Sequence, residues 1–397
     1  MHSYSFTRLA LILGLLQAMG PFAIDMYLPG LPAMGRELQA STAAVQASLM
    51  AFFLALGLGQ LIYGPLSDRV GRKAPLLFGL AVFGLAGVGC ALASDIQTLV
   101  ALRFIQGLGG CAAAVIPRAI VRDLYSGHEA ARLMGLLMLV FSVGPILAPL
   151  AGSLLIEQWG WRSVFWALTA IGALATLMTT LQLQETWPPA RRAGGSWASS
   201  LSAYGRLLRD GHYLGVVLIG GLGLASFMIY LANASFVLMN RYGLSARAFS
   251  LAFALNAVGF IGGSQFGGFL SRRLGMARLV RWSTAASALS MSAAAALAWS
   301  GATSLAALLV PLFAGYAFLG LTLPCVTVLA MDRHGAIAGT AAALMGTLQF
   351  LVGALAMTLV GLFGAGHTTA MATGIALCAL GAFCASLVVL GSEGGGH

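Results

Sequence analysis

The chain has 397 residues, 59% of them apolar and only 8% charged, with 52 glycines and a net charge of +10. A mean hydropathy of +0.91 excludes a soluble domain of this size, and the lack of strands alternating polar and apolar residues excludes a membrane β-barrel. What remains is an all-α integral membrane protein.

Twelve apolar runs, each long enough to cross ~30 Å of hydrocarbon as a helix, fall at 8–34, 43–66, 74–93, 96–121, 131–156, 162–184, 213–239, 246–270, 277–299, 304–330, 336–363 and 368–391. The first opens "TRLALILGLLQAMG", with one arginine before an apolar core. No small-x-small cleavage site follows and the run continues past Asp25, so it reads as an uncleaved helix. Gln17 lies eight residues before Asp25, and Pro21, Pro29 and Pro32 bracket it, freeing backbone carbonyls where the helix lines a cavity. The second run ends in "GPLSDRVGRK", Gly64 to Lys73, and the fourth contains "LRFIQGLGGCAAA" with Arg103 and Gln106. Gly107, Gly110 and Ala114 follow at helical spacing and let a neighbouring backbone come close.

The longest polar stretch, Glu185 to His212, separates six spans from six. The expected organisation is a six-helix bundle over 1–185, a cytoplasmic linker over 186–212 with a surface-lying amphipathic helix in "SLSAYGRLLRD", and a second bundle over 213–397. An internal repeat supports it: "GFLSRRLGMA" at Gly268 to Ala277 echoes "GPLSDRVGRK", and "FMIY" at Phe227 echoes "FAID" at Phe22. Two pseudo-symmetric halves place a binding site near the midplane between them, with rocking as the natural motion. Arg36, Arg162, Arg241 and Arg247 are the only loop bases assigned to the outer side, so both termini are expected in the cytoplasm.

Sorting the eleven acids leaves Asp25 alone inside the membrane, and sorting the bases leaves Arg103. A carboxylate at bilayer depth costs ~3 kcal/mol or more. One reading is a neutralising ion pair that fixes helices one and four; the other, which we prefer, is a functional pair on an ion or substrate path. One acid suggests one proton per cycle. All six histidines lie in loops or at termini, and the five cysteines, in or beside apolar runs without metal-ligand spacing, read as small buried hydrophobes. The second half offers Tyr230, Asn233, Phe236, Asn256, Tyr316 and Gln349, which with Gln17 and Gln106 are the candidate substrate contacts; Tyr230 occupies the repeat position of Asp25. A mostly apolar pocket with a few hydrogen-bonding groups suits amphipathic, near-neutral molecules.

"GPLSDRVGRK" and "RFIQGLGG" resemble the loop and fourth-helix signatures of the major facilitator superfamily. With "AIDMYLPGLP", "WGWRSVFW" and "GTAAALMGTLQFLVGALA", the chain is similar to its bicyclomycin/chloramphenicol resistance subfamily of drug:proton antiporters. The resemblance implies proton-driven export of small drugs, phenicol-like, bicyclomycin-like or cationic, across the bacterial inner membrane, with Asp25 as proton carrier and Arg103 as its electrostatic partner. It also implies an antiporter signature in the fifth helix at Gly135, Gly144, Pro145, Pro149 and Gly152, with Val140 and Ala148 where glycine is frequent, and Cys325 where the subfamily has a polar residue. Gly64, Asp68, Arg69, Gly71 and Arg72 are expected to form a conformational latch in which Asp68 accepts from Arg118 or Arg122; alternatively these charges set topology alone. The expected partners are a small-molecule drug, protons and the bilayer, with no nucleic acid, cofactor or metal, in a monomer. A symporter or sugar exporter on the same scaffold is the alternative. An enzyme is disfavoured by the lack of membrane histidines or paired acids, and a sensor by the lack of a signalling domain.

Overall fold

The computed structural model describes residues 6–189, 192, 197–301 and 304–391. Arg191, Glu393, His2, His397 and part of the expected linker lie outside these. Fourteen α-helices are found among the described residues: α1 Phe6–Asp25, α2 Leu31–Glu37, α3 Thr42–Val70, α4 Lys73–Leu92, α5 Ile96–Leu124, α6 Gly127–Trp159, α7 Arg162–Gln182, α8 Trp197–Leu207, α9 Gly211–Ser235, α10 Ala246–Leu274, α11 Met276–Trp299, α12 Leu305–Asp332, α13 Ala338–Gly364 and α14 Thr368–Gly391. All but α2 and α8 have 20 residues or more. Eleven of the long helical segments are apolar enough as well as long enough to cross a membrane. The exception is α11, which carries Arg278 and Arg281 near its start and buries Ser283, Thr284 and Ser287. Those hydroxyls face neighbours: Ser283 pairs with Thr322 of α12 at 2.8 Å and Thr284 with Ser386 of α14 at 3.1 Å, so α11 exchanges hydropathy for interhelical hydrogen bonds.

Helix ends follow local chemistry. Asp95 caps α5 by accepting from Thr98 N at 2.8 Å, Asp210 caps α9, and Ser245 and Ser304 cap α10 and α12. Gly160 at φ +76° ends α6 and Gly275 at φ +80° separates α10 from α11, left-handed positions that favour glycine.

The chain divides into two compact units, one of residues 1–40 with 47–201 and one of 41–46 with 202–397. In the first, α4 packs along α5 and α7, while α1 packs on α6, α5 and α7. The second repeats the pattern: α11 packs along α12 and α14, while α9 packs on α13, α12 and α14. Crossings run through small residues. A Cβ on Gly109 of α5 would meet the backbone of Phe83 and Gly79 on α4, and one on Gly263 or Gly320 would meet the partner backbone at the α10–α12 crossing. Large side chains such as Leu85, Phe363 and Val388 are 74%, 85% and 79% exposed, the surface of a protein whose outer solvent is lipid. Cys384, expected to be buried, is exposed on α14 with the helix face it occupies; the other four cysteines are buried.

Candidate functional site

The first span is broken where a continuous helix over 8–34 is expected. α1 stops at Asp25, a 3-10 turn covers Leu28–Gly30, and α2 follows. Pro29 explains the position: it lacks the N–H that would reach the carbonyl four residues back, which is that of Asp25, and its ring crowds that carbonyl. Asp25 is therefore the last helical residue. Asp25 is 4% exposed, and no hydrogen bond or ion pair to its side chain is found among the described residues.

Arg103 is 0% exposed, yet the expected ion pair with Asp25 is not formed. Its Nη1 donates to Gln106 Oε1 at 2.7 Å and its Nη2 to the Ala23 carbonyl at 3.0 Å. The guanidinium carbon lies 4.5 Å from the ring centre of Tyr27, 4.2 Å from Phe52 and 5.7 Å from Phe165. Three π-faces thus take the place of a counter-ion. The cation also sits at the C-terminal, negative end of α1, whose last carbonyls have no helical N–H. Arg103 Nε, Gln106 Nε2 and Gln17 Oε1 are buried without a hydrogen-bond partner among the described residues.

A second buried cation, Arg72, is 4% exposed although it follows a helix end in a charged loop. It forms an ion pair with Asp68, donates through Nε to Asp123 Oδ2 at 2.8 Å and through Nη1 to Ser67 at 2.9 Å. The expected partners of Asp68, Arg118 and Arg122, are exposed on α5 and make no ion pair among the described residues. Arg72, one turn from Asp68, reaches it first. Asp123 is 6% exposed at its side chain; the sequence puts it at a cytoplasmic helix end, and its only signal there is an acid closing the arginine-rich end "RAIVRD". The chain after α7 completes the cluster. Glu185 accepts from the backbone N–H of Arg72 at 2.8 Å and of Lys73 at 3.2 Å, capping α4, and Trp187 donates to the Asp68 carbonyl at 2.8 Å with its ring 4.9 Å from the Arg72 guanidinium. Gly71, at φ +103°, leaves no room for a Cβ beside the Glu185 carboxylate. Gly64 has open space around it, and Arg69 lies in the last turn of α3.

The α6 residues divide by contact. A Cβ on Gly152 would fall on the Met26 carbonyl, one residue past Asp25, and one on Gly144 would press on Pro21, with Cγ at 2.9 Å. Gly135 has nothing within 4 Å. Pro145 and Pro149 lie inside α6 without ending it.

In the second unit, Tyr230 Oη accepts from Asn256 Nδ2 at 2.8 Å. Its ring stacks on Phe253 at 5.7 Å and lies 5.5 Å from Tyr316. Asn256 Oδ1 is buried without a partner among the described residues. Asn233 is occupied: its Oδ1 accepts from Gln46 Nε2 at 2.9 Å and from Gly366 N at 3.0 Å, and its Nδ2 donates to the Ile229 carbonyl at 2.9 Å. Phe236 opens a π-helical turn over Phe236–Arg241, and the Gln349 amide packs against Gly220. No group of three or more metal-ligating side chains occurs among the described residues.

Residues 13–357 match the family description Major Facilitator Superfamily. The chain belongs to that superfamily. Major facilitator proteins are multi-pass membrane transporters of small molecules, and this one is a transporter and not an enzyme. It is 37% identical over 374 residues, 92% of this chain and 90% of the other, to an uncharacterized MFS-type transporter of Bacillus subtilis. It is 33% identical over 348 residues, 86% of this chain and 85% of the other, to multidrug resistance protein D of Escherichia coli. It is 29% identical over 355 residues, 88% of each, to a bicyclomycin resistance protein homolog of Haemophilus influenzae. Among solved structures, a D-xylose-proton symporter superposes with a TM-score of 0.76 at 17% identity, covering 96% of this chain and 97% of that one. This shows the shared major facilitator fold of two six-helix bundles.

Proposed function

We propose that this transporter exports small amphipathic drugs in exchange for protons by alternating access, with Asp25 as the proton carrier. The observation that carries the reading is Asp25 itself: a buried acid with no ion pair among the described residues, at a helix break. Such a carboxyl is held in place by backbone geometry rather than by a salt bridge, so its protonation can change without dismantling the fold. The names of the drug-resistance relatives support drugs as the substrate class, and resistance accords with export. Export across the bacterial inner membrane with both termini cytoplasmic accords with the lysine and arginine sorting, and we take the active unit to be a monomer.

Arg103 acts in this reading on the end of α1 rather than as an ion-pair partner. Its hydrogen bond to the Ala23 carbonyl fixes the backbone two residues before Asp25. On the second unit, the ring cluster of Tyr230, Phe253 and Tyr316 with Asn256 Oδ1, all buried in this state, is the set of stacking faces and acceptor that opening of the bundle exposes to a drug. The Arg72 cluster serves as the latch.

The test is flux in proteoliposomes with an imposed pH gradient, using phenicol, cationic-dye and sugar substrates. Wild type is expected to concentrate a drug against its gradient when the gradient drives protons in the opposite direction, and Asp25→Asn to lose that uphill movement. Drug binding by the Asn variant, which cannot titrate, is expected to be flat between about pH 5 and 9. An Asn variant that still concentrates drug with protons as the sole driving force removes Asp25 from the role. Drug or sugar moving along with protons instead of against them makes the protein a symporter.

A further inference from the structure

The two copies of the loop signature resolve their charges differently. At the α3–α4 corner, Arg72 is neutralised within the protein by Asp68 and Asp123, and Glu185 caps the next helix. At the α10–α11 corner, Arg272 stands where the first copy has Asp68. Arg272 and Arg273 end α10, Gly275 makes the turn, and Arg278 and Arg281 lie in the first two turns of α11. Four guanidinium groups thus fall within ten residues, and none forms an ion pair among the described residues. The α10 end welcomes cations, but Arg278 and Arg281 sit near the positive end of α11, where the helix dipole opposes them. Among the described residues, no acid pairs with this corner as Asp68 and Asp123 pair with Arg72 at the first.

The surrounding surface says where the missing charge comes from. Phe266 and Phe269 on α10 and Trp282 on α11 are 62%, 55% and 67% exposed, and the Arg273 guanidinium lies 4.4 Å over the Phe269 ring. Tryptophan beside arginines near the ends of spanning helices marks the level of lipid headgroups, and the two phenylalanines add exposed apolar surface. A soluble anion would have no use for exposed rings. A phospholipid offers both a phosphate and an acyl chain to cover them. We propose that the α10–α11 corner is a binding site for an anionic phospholipid, whose headgroup phosphate is held by Arg272, Arg273, Arg278 and Arg281 and whose upper acyl chain lies against Phe266, Phe269 and Trp282. The site is independent of the transported substrate.

Trp282 is a built-in reporter. Purified full-length protein is reconstituted into vesicles containing brominated phosphatidylglycerol or, at equal mole fraction, brominated phosphatidylcholine, and the Trp282 share of quenching is taken by difference from Trp282→Phe. Quenching is expected to favour phosphatidylglycerol, with that preference falling about fivefold for each arginine replaced by glutamine. Arg278→Gln/Arg281→Gln leaves α10 untouched and tests the site should the fourfold variant not fold, while Arg278→Lys/Arg281→Lys should keep most of the preference. Equal quenching by both lipids, or a preference unchanged in the glutamine variants, overturns the proposal. So does loss of the preference on adding inorganic phosphate at constant ionic strength, which would make this a soluble-anion site.

Discussion

Arg103 donates to the carbonyl of Ala23, two residues before Asp25, and leaves the Asp25 carboxylate without an ion pair. The same guanidinium donates from its other terminal nitrogen to Gln106 Oε1, so one planar group joins α5 to the C-terminal end of α1. A lysine keeps the charge but is a point donor on a flexible stem and cannot present two fixed N–H groups or lie flat among three rings. Arg103→Lys is therefore expected to lose most proton-driven flux at equal expression. It is also expected to lower thermal stability by about 1–3 kcal/mol, the scale of charged hydrogen bonds left unmade. Wild-type flux in the Lys variant would show that charge alone suffices.

The α6 glycines should respond unequally. At Gly152 an added methyl meets the Met26 carbonyl, part of the rigid break that carries Asp25; at Gly144 it meets the Pro21 ring; at Gly135 it meets nothing. Overpacking of this kind typically costs about 1–3 kcal/mol, and backbone cannot rotate out of the way. Flux is expected to fall in the order Gly152→Ala, Gly144→Ala, Gly135→Ala, with the last near wild type. Equal flux from all three variants would mean that α6 does not hold α1 by close contact.

Asp25 and Arg103 were legible because each is a lone charge in a long apolar run, where the cost of burial demands a reason. The break after Asp25 was written in Pro29, four residues on, but reading 8–34 as one span hid it. In the Arg72 cluster, the grouping of Asp68 with Arg72 was legible but the buried partners were not. Arg72 lies among Asp68, Arg69 and Lys73 in a segment that looks like a solvated loop, and its burial depends on Asp123, 51 residues away, and on Glu185, 113 residues away. No local pattern encodes such distances. The aromatic cage of Arg103 was hidden for the same reason, since Tyr27, Phe52 and Phe165 come from three segments and each alone reads as ordinary core.

Asp123 is expected to matter more than Asp68. Both pair with Arg72, but the Asp123 side chain is 6% exposed and that of Asp68 is 54% exposed. Water can replace Asp68, whereas removing Asp123 leaves a buried guanidinium short of its shielded partner. Asp123→Asn should cost about 2–3 kcal/mol of stability and Asp68→Asn about 1 kcal/mol or less. In the latch reading, cysteine labelling at the cytoplasmic mouth should rise more in Asp123→Asn. Thermal unfolding of both variants in detergent checks the ranking, and a greater loss for Asp68→Asn would reverse the assignment of the principal partner.

Asp210 gives the second unit an acid-sensitive contact. It accepts from the backbone N–H groups of His212 at 2.9 Å and Tyr213 at 3.1 Å, capping α9, and its other oxygen meets His334 Nε2 at 2.8 Å. Tyr213 continues the connection by donating to the Ala341 carbonyl at 2.6 Å, so the start of α9 is tied to the loop before α13 and to α13 itself. Burial raises the Asp210 pKa, but the bonds from Tyr213, His334 and His212 outweigh it and hold the group below its ordinary value. A carboxyl with a lower pKa folded than unfolded contributes stability that is present above its unfolded pKa, about 4, and is lost as the pH falls through the folded value. The thermal midpoint of the detergent-solubilised protein should therefore drop as the pH is taken below about 4. Asp210→Asn keeps a capping oxygen but cannot titrate, so it should start lower near neutral pH and fall less steeply in acid. Midpoint curves that run parallel for the two proteins down to low pH would place the acid sensitivity elsewhere.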